Sequence, residues 1–302
     1  MEKIIASGGS PSYRNYLEKN SYSIKSIPTY QKAEERFKQW CKKYGTTANK
    51  IDYKTFLQYI QHLKTTRIKP RTLKNYINNL KIYFNYLVET NQRFENIIEN
   101  INIKGVKKEI KQQAFTLDEL ENFHFEYKEL HNKTLSEKRN RIIIGLLIYQ
   151  GLTTRNIEDL KVENIQLYKG NIDVLGTKKS NARTLELKPW QLMELMEYID
   201  KIRPEFLEQT NKESEQLFLT LGKSNNLQNI FRKINKSLRE INNKYVNVNQ
   251  IRTSVIINWL AQHNLRKTQY FAGHRFISST EKYQQDDLES LHETINLYHP
   301  LK

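Results

Sequence analysis

A tyrosine late in the chain is accompanied by a histidine at short spacing and by cationic side chains from distant segments. Tyr283 is the ninth residue after His274, and Arg252 lies upstream at the start of an apolar run. Further upstream, Lys178 and Lys179 lie between two short apolar runs. A phenol, an imidazole, a guanidinium and an amine are together suited to the transfer of a phosphodiester.

Each of these side chains has a defined part in such a reaction. A tyrosine hydroxyl can attack phosphorus and form a covalent phosphotyrosyl link, which divides one difficult displacement into two easier ones. Guanidinium groups match the geometry of phosphate oxygens and stabilise the charge that develops on them. The leaving 5′ oxygen needs a proton, which a lysine or a histidine can supply. This chemistry requires no metal ion and no cofactor, and the sequence has no histidine or cysteine cluster with metal-ligand spacing.

Taken singly, each residue has a more ordinary explanation. Tyr283 is one of 18 tyrosines, and a lone tyrosine usually packs rather than attacks a substrate. A lone histidine or arginine usually caps a helix or lies at the surface, and Lys178-Lys179 is typical of a solvated turn. Their joint occurrence favours a shared site, because independent accidents would rarely produce all of them in this order.

The composition points to a polyanionic partner. The chain has 302 residues and a formal net charge of +16, and 38% of its residues are hydrophobic, too many for a disordered polyelectrolyte. No stretch approaches the roughly 18 apolar residues of a membrane span, and the amino terminus lacks the apolar core of a signal peptide. We therefore expect a cytoplasmic protein with no membrane contact. Its single cysteine, Cys41, excludes an internal disulfide.

The first part of the chain has the pattern of a small all-helical domain. Residues 1–16 are predicted to form a flexible leader, because serine, glycine and proline are concentrated there. Residues 17–103 contain three apolar stripes with helical spacing, at positions 30–40, 56–63 and 73–87. The third helix is expected to begin at Pro70, since proline is favoured in the first turn.

A polar, basic linker is predicted at residues 104–113, followed by a second domain at residues 114–302. Thr116 begins a capping-box pattern and therefore a helix. Residues 165–187 alternate in short runs, which predicts a small β-hairpin or meander, and helical patterning then continues. The predicted fold class is mainly α: an all-helical first domain and a mixed α/β second domain, mostly helical, with a small sheet.

The motifs near the carboxyl end resemble those of the tyrosine recombinase family, which includes phage integrases and Xer-like enzymes. That family has the pattern His-x-Leu-Arg, then Leu-Gly-His, then a nucleophilic tyrosine at this spacing. The corresponding motifs here are Asn249-Gln-Ile-Arg252, Gly273-His274 and Tyr283. The resemblance covers nearly the whole chain. It implies that residues 17–103 form a SAM-like core-binding domain that binds DNA, and that residues 114–302 form the catalytic domain.

The resemblance also implies a role for each residue of the site. Tyr283 would be the nucleophile, and Arg252 and His274 would stabilise the developing negative charge. The family has a general-acid lysine in its β-hairpin, and Lys178 fits that position best. The adjacent Lys179 remains an alternative.

Two positions depart from the family pattern. The family's first histidine falls on Asn249, which can hydrogen-bond a phosphate oxygen but cannot titrate. The family's first arginine usually follows Gly-Leu directly, in Gly-Leu-Arg-x-x-Glu-Leu, and Thr153 stands at that position here. Arg155 lies two residues later, and we expect it to reach the same phosphate from a shifted turn.

The activity that the resemblance implies is site-specific cleavage and rejoining of double-stranded DNA through a 3′-phosphotyrosyl intermediate. It implies a homo-oligomer, with a dimer at each site and a tetramer in synapsis, in which segment 288–297 could dock on a neighbouring subunit. Integration of a mobile element and resolution of chromosome dimers both fit this activity. The candidate DNA-binding residues are Lys69, Arg71, Lys74, Asn75, Lys107, Lys108, Lys179 and Arg183.

Three other functions are compatible with parts of the sequence. A type IB topoisomerase-like enzyme would use the same chemistry without a defined site. A non-catalytic DNA-binding accessory protein of the same fold would explain the threonine at position 153. A basic RNA-binding module is disfavoured, because no aromatic-rich stacking motif of the usual kinds is present.

Overall fold

The chain divides into two compact units, Met1–Lys108 and Glu109–Lys302. The structure is a computed structural model, and it describes residues 12–104, 113–211, 213–222 and 226–284. Several predicted features lie outside the described residues. They are the leader up to residue 11, most of the linker with Lys107 and Lys108, and the segment 288–297.

The described residues of the first unit form four helices, and the last three follow the predicted apolar stripes. They are α1 (Tyr13–Lys19), α2 (Ile27–Lys43), α3 (Tyr53–Thr65) and α4 (Pro70–Glu89). The Asp52 side chain caps α3 by accepting the Thr55 N–H at 2.8 Å, and Pro70 occupies the first turn of α4. Where the sequence predicts an all-helical first domain, the structure has one.

The first helix begins earlier than the sequence analysis places it. Helix α1 starts at Tyr13, inside the predicted flexible leader, and Ser12 caps it. The rings of Tyr13 and Tyr16 are buried, with centroids 5.2 and 5.4 Å from that of Tyr86 on α4. Burying two aromatic rings offsets the entropy cost of ordering this turn.

An arginine after α4 ties the turn between α2 and α3 to the core of the first unit. The Arg93 guanidinium donates to the backbone oxygens of Ala48, Asn49 and Ile51 at 2.7, 2.9 and 2.8 Å. It also lies 5.3 Å from the centre of the buried Phe84 ring. One side chain therefore satisfies three carbonyls that no strand or helix pairs.

The second unit is mostly helical. Its helices are α5 (Leu117–Leu130), α6 (Leu135–Tyr149), α7 (Thr154–Asp159), α8 (Pro189–Glu197), α9 (Arg203–Thr210), α10 (Gln228–Ile241), α11 (Val248–Gln262) and α12 (Leu265–Ala272). Short 3₁₀ turns occupy Val162–Asn164 and Leu167–Lys169, and a π-helical turn at Tyr198–Ile202 joins α8 to α9. Capping boxes begin α5 and α6, at Thr116 as predicted and at Thr134.

Three short strands form an antiparallel meander in this unit. They are β1 (Ile165–Gln166), β2 (Asn171–Val174) and β3 (Arg183–Glu186), in that spatial order. Ile172 pairs with Leu185, and both side chains are buried against the helices. The predicted fold class, mainly α with a small sheet in the second domain, is confirmed. No helix in the described ranges is long and apolar enough to cross a membrane.

The Arg93 contacts give a prediction about stability. Arg93→Met keeps much of the apolar stem but leaves three carbonyls without their donor. We expect the free energy of unfolding to fall by about 1–3 kcal/mol, measured by urea denaturation with Trp40 fluorescence as the probe. The control is Lys50→Met, which removes a positive charge from an exposed position in the same turn. It should change the free energy of unfolding by less than about 0.5 kcal/mol. Equal effects of the two substitutions would contradict this account of Arg93.

Candidate active site around Tyr283

Helix α11 carries Arg252 into a junction between three segments of the chain. The Asn247 side chain caps this helix by accepting the Asn249 and Gln250 N–H groups at 2.9 and 3.2 Å. One turn later, the Arg252 guanidinium donates to the Ala272 carbonyl at 2.7 Å and to the Gly151 carbonyl. Two carbonyls from different segments therefore hold the guanidinium in one orientation, and burial lowers its pKa.

A glycine permits this arrangement at the end of α6. Gly151 has φ of +56°, and a Cβ built on it would lie 2.9 Å from Cη2 of Trp259 on α11. Any other residue would strain the backbone and collide with that ring. Glycine thus lets the chain approach α11 closely enough for its carbonyl to accept from Arg252.

His274 lies beside Arg252, directly after the left-handed residue Gly273 that ends α12. Its Nε2 is 3.4 Å from Nη2 of Arg252, and its Nδ1 is 2.9 Å from Oγ1 of the buried Thr280. Burial first, and then the positive charges of Arg252 and Arg183, lower the pKa of His274 to about 4. Since arginine can only donate, Nε2 is the acceptor and the neutral ring carries its proton on Nδ1.

Tyr283 completes the cluster from a further helical segment, residues 278–284. Its ring is stacked on that of His274, with centroids 5.8 Å apart and planes inclined by 10°. It is close enough to Arg252 to raise the pKa of that guanidinium, against the effect of burial. The predicted nucleophile, histidine and second arginine are therefore brought together.

The turn between β2 and β3 is attached to the same segment. Ser180 forms a β-bridge with His274, and the Asn181 N–H donates to the Gly273 carbonyl at 3.0 Å. Arg275 donates to the carbonyl of Lys178 at 2.9 Å. Lys178 and its neighbour Lys179 are both exposed on this turn, so the choice between them as general acid remains open.

Arg183 lies inside the cluster, whereas the sequence analysis counts it among DNA contacts at the hairpin. It begins β3, is only 4% exposed, and its Nη2 is 3.5 Å from Oδ1 of Asn156. A Cβ at Gly273 would lie 2.8 Å from its Cζ, so the guanidinium packs directly on the backbone next to His274. The alternation of Arg183 with the buried Leu185 is the sequence signal that points to an inward side chain.

The structure does not bring Arg155 to this cluster. Arg155 is exposed on α7, where it forms ion pairs with Glu158 at 3.6 Å and Asp159 at 2.7 Å. Thr153, at the position of the family's first arginine, uses its side chain to cap α7 by accepting the Asn156 N–H at 3.1 Å. These contacts do not support the expectation that Arg155 reaches the phosphate from a shifted turn in place of the family's first arginine.

The remaining candidates lie on exposed helix turns. Asn249 is exposed in the first turn of α11, one turn before Arg252. In the first unit, Lys69 immediately precedes α4, and the first two turns of that helix carry the exposed Arg71 and Asn75 and the half-buried Lys74. These four polar side chains share the amino-terminal end of one helix.

The cluster has the character of an anion site. Within the described residues, the hydrogen bonds of Arg252, His274 and Arg183 go to carbonyls, a hydroxyl, an amide and one another, and none goes to a carboxylate. In the part of the chain that the structure describes, no group of three or more histidine, cysteine, aspartate or glutamate side chains could hold a metal ion. The positive charges of the two guanidinium groups can stabilise negative charge on phosphate oxygens.

Two family models match the chain, one mainly in each unit. Residues 116–289 match the model of the phage integrase family, and residues 11–92 match the phage integrase SAM-like domain. The first match spans more than half of the chain, and the chain therefore belongs to the phage integrase family. The family resemblance read from the motifs is confirmed.

Individual relatives are similar along nearly their whole length. The tyrosine recombinase XerC of Staphylococcus aureus (strain NCTC 8325 / PS 47) is 22% identical over 290 residues, which cover 94% of this chain and 93% of the relative. A XerH site-specific recombinase bound to a palindromic difH substrate has a TM-score of 0.71 at 20% identity, covering 94% and 84% of the two chains. The Tn1549 transposon integrase in complex with a circular intermediate DNA has a TM-score of 0.65 at 12% identity, covering 92% and 98%. These structures share the fold described above.

The contacts of His274 give a prediction about titration. Its pKa of about 4 lies below that of an unfolded histidine, so the unfolded chain takes up a proton first and this group removes stability as pH falls from about 6.5 to about 4. We expect its NMR ring signal, assigned by its loss in His274→Asn, to stay that of a neutral ring down to about pH 5. A titration midpoint near 6.5 would show that the ring is not buried among these cations.

Proposed function

We propose that this protein is a site-specific DNA recombinase that cleaves and rejoins double-stranded DNA through a 3′-phosphotyrosyl intermediate. The observation that carries the proposal is the stacking of Tyr283 on His274, whose Nε2 faces Arg252. Membership of the phage integrase family supports it. So do the XerC relative, named a tyrosine recombinase, and the XerH and Tn1549 proteins, described in complex with DNA.

In the first step, the Tyr283 oxygen attacks the scissile phosphorus. A bond from this oxygen to phosphorus forms, the bond to the 5′ oxygen breaks, and the phenol proton passes to solvent. Arg252 stabilises the charge on the non-bridging oxygens, while Lys178 gives the 5′ oxygen its proton. His274 adds a donor to these oxygens when the phosphate draws its ring proton from Nδ1 to Nε2. Asn249, one turn from Arg252, is available to hydrogen-bond a phosphate oxygen.

The second step reverses the first with a different strand. The 5′-hydroxyl of the partner duplex attacks the phosphotyrosyl phosphorus, and its proton returns to Lys178. The bond from phosphorus to the Tyr283 oxygen breaks, and this oxygen takes up a proton from solvent. One phosphodiester is exchanged for another, so the reaction requires no nucleotide cofactor. Because two duplexes must each be cleaved, we propose a dimer at each site and a tetramer in synapsis.

Duplex DNA is held chiefly through its phosphates in this proposal. The net charge of +16 supplies the general attraction. The amino-terminal end of α4, with Lys69, Arg71, Lys74 and Asn75, has the mixture of cations and amide that suits contact with a groove and its phosphates. Lys179 provides a further cation on the exposed β2–β3 turn.

A second candidate function is a non-catalytic DNA-binding accessory protein of the same fold. Thr153 and the ion-paired Arg155 favour it, because neither supplies a guanidinium to the cluster. Such a protein would bind its site without forming an adduct. A type IB topoisomerase-like enzyme would form the adduct but would not exchange strands between two duplexes at a defined site.

The nucleophile is tested by trapping the covalent adduct. Adducts recovered from cells that express the protein supply the DNA sequence, and a nicked duplex of that sequence then traps the intermediate for gel analysis. We expect Tyr283→Phe to form no adduct and Tyr168→Phe, altered at a fully exposed ring on the meander, to form as much as wild type. An adduct that persists in Tyr283→Phe would refute the assignment, and a wild-type protein that binds the site without any adduct would favour the accessory function.

The general acid is tested with a substrate whose leaving group needs no proton. Lys178→Ala should slow cleavage of the ordinary duplex by about 10²–10⁴-fold. A 5′-bridging phosphorothiolate releases a thiolate, which is stable near neutral pH, and should restore cleavage by Lys178→Ala to near the wild-type rate. Lys179→Ala is the matched control and should cleave both substrates within a few-fold of wild type. If the phosphorothiolate instead restored a cleavage defect of Lys179→Ala and not of Lys178→Ala, Lys179 would be the general acid.

A further inference from the structure

Arg183 is a buried cation without a partner of opposite charge among the described residues. Within the described ranges, its Nε and Nη1 have no hydrogen-bond partner, and Nη2 makes only a long contact of 3.5 Å to the neutral amide of Asn156. Burying a guanidinium in this way is costly unless its charge is compensated. Burial, and next the like charge of Arg252, lower its pKa to about 10, so it remains protonated at neutral pH.

The position of this cation ties it to the proposed reaction site. The guanidinium packs against the backbone of Gly273, which carries no Cβ, and the next residue is His274. After burial, the charge of Arg252 lowers the pKa of Arg183, and the charges of Arg252 and Arg183 lower the pKa of His274. At low local dielectric such interactions are stronger than they are in water.

The neutral partner of Arg183 falls at an informative position. In the family pattern Gly-Leu-Arg-x-x-Glu-Leu, the arginine position is Thr153 and the glutamate position is Asn156. One turn of α7 therefore lacks both a guanidinium and a carboxylate of that pattern. A carboxylate at 156 would lie where it could pair with Arg183 and cancel its charge, whereas the amide leaves that charge directed at the site.

We infer that Arg183 supplies the second positive charge of the phosphate site, in place of the arginine that the family pattern has at position 153. It acts as a positioning residue, because its inaccessible nitrogens lie behind Gly273 and affect the phosphate through their charge. This role requires a neutral residue at position 156, because a carboxylate there would cancel the charge of Arg183. The inference rests on the proposed recombinase function for its effect on rate, but its effect on His274 is independent of DNA.

The discriminating variant is Asn156→Glu, which supplies the missing counter-charge without altering Arg183. Glutamate at the third position of a capping box is compatible with the start of α7. We expect single-turnover cleavage of the nicked duplex to slow by roughly 10–100-fold, the pKa of His274 to rise, and the melting temperature to stay level or increase. The double variant Thr153→Arg/Asn156→Glu restores the family pattern and should recover most of the rate.

Three comparisons make the test specific. Asn229→Glu places the same new charge at an exposed position on α10 and should leave the cleavage rate and the His274 titration unchanged. Arg183→Lys should keep more of the rate than Arg183→Met, because it retains the charge. If Arg183→Met does not fold, Asn156→Glu and the double variant still test the inference, because both leave Arg183 in place.

The outcomes separate this inference from the proposed function. If Asn156→Glu cleaves as fast as wild type, the charge of Arg183 is not used and the inference is overturned. If wild type forms no adduct at all, the proposed function fails, and the inference then depends on the NMR titration of His274 alone. An unchanged His274 pKa in Asn156→Glu would overturn it in that case, and a raised pKa would support it.

Discussion

The capture of the Arg252 guanidinium by two backbone carbonyls is the constraint on which the rest of the site depends. The carbonyls belong to Gly151, after α6, and Ala272, at the end of α12, so one side chain fastens three segments distant in sequence. His274 follows Ala272 closely and faces the same guanidinium. The meander turn and the tyrosine-bearing helical segment are attached in turn to the segment around His274.

This arrangement gathers positive charge before any ligand is present. The charge of Arg252 adds to burial in lowering the pKa of Arg183, and burial together with both guanidinium charges keeps His274 neutral. Their mutual repulsion is a cost to folding that an incoming phosphate would relieve, which is how a preorganised site favours the charge that develops in a transition state. The neutral Asn156 fits the same account. An acidic residue at position 156 would pair with Arg183 and stabilise the fold, but it would weaken the positive potential at the phosphate.

The sequence was sufficient to predict the secondary structure elements and part of the candidate active site. Periodicity, Pro70 and the Thr116 capping box located the helices, and motif spacing brought Tyr283, His274 and Arg252 together. It was not sufficient to predict the positions of side chains whose partners come from segments distant in sequence. Arg155 and Arg183 are both arginines near turns, and only the fold shows that one pairs with its own helix while the other is buried against Gly273. The early start of α1 has the same cause, because its tyrosines are stabilised by α4.

The central claim is that the phenol of Tyr283 and these cations converge on one scissile phosphorus. Mass spectrometry of the trapped covalent adduct tests it most directly. After digestion of DNA and protein, trypsin cleavage at Lys282 should release a peptide that begins at Tyr283, and fragmentation should place a 3′-linked nucleotide on that first residue. A nucleotide on Tyr298 of the same peptide, or on any other tyrosine of the chain, would contradict the account.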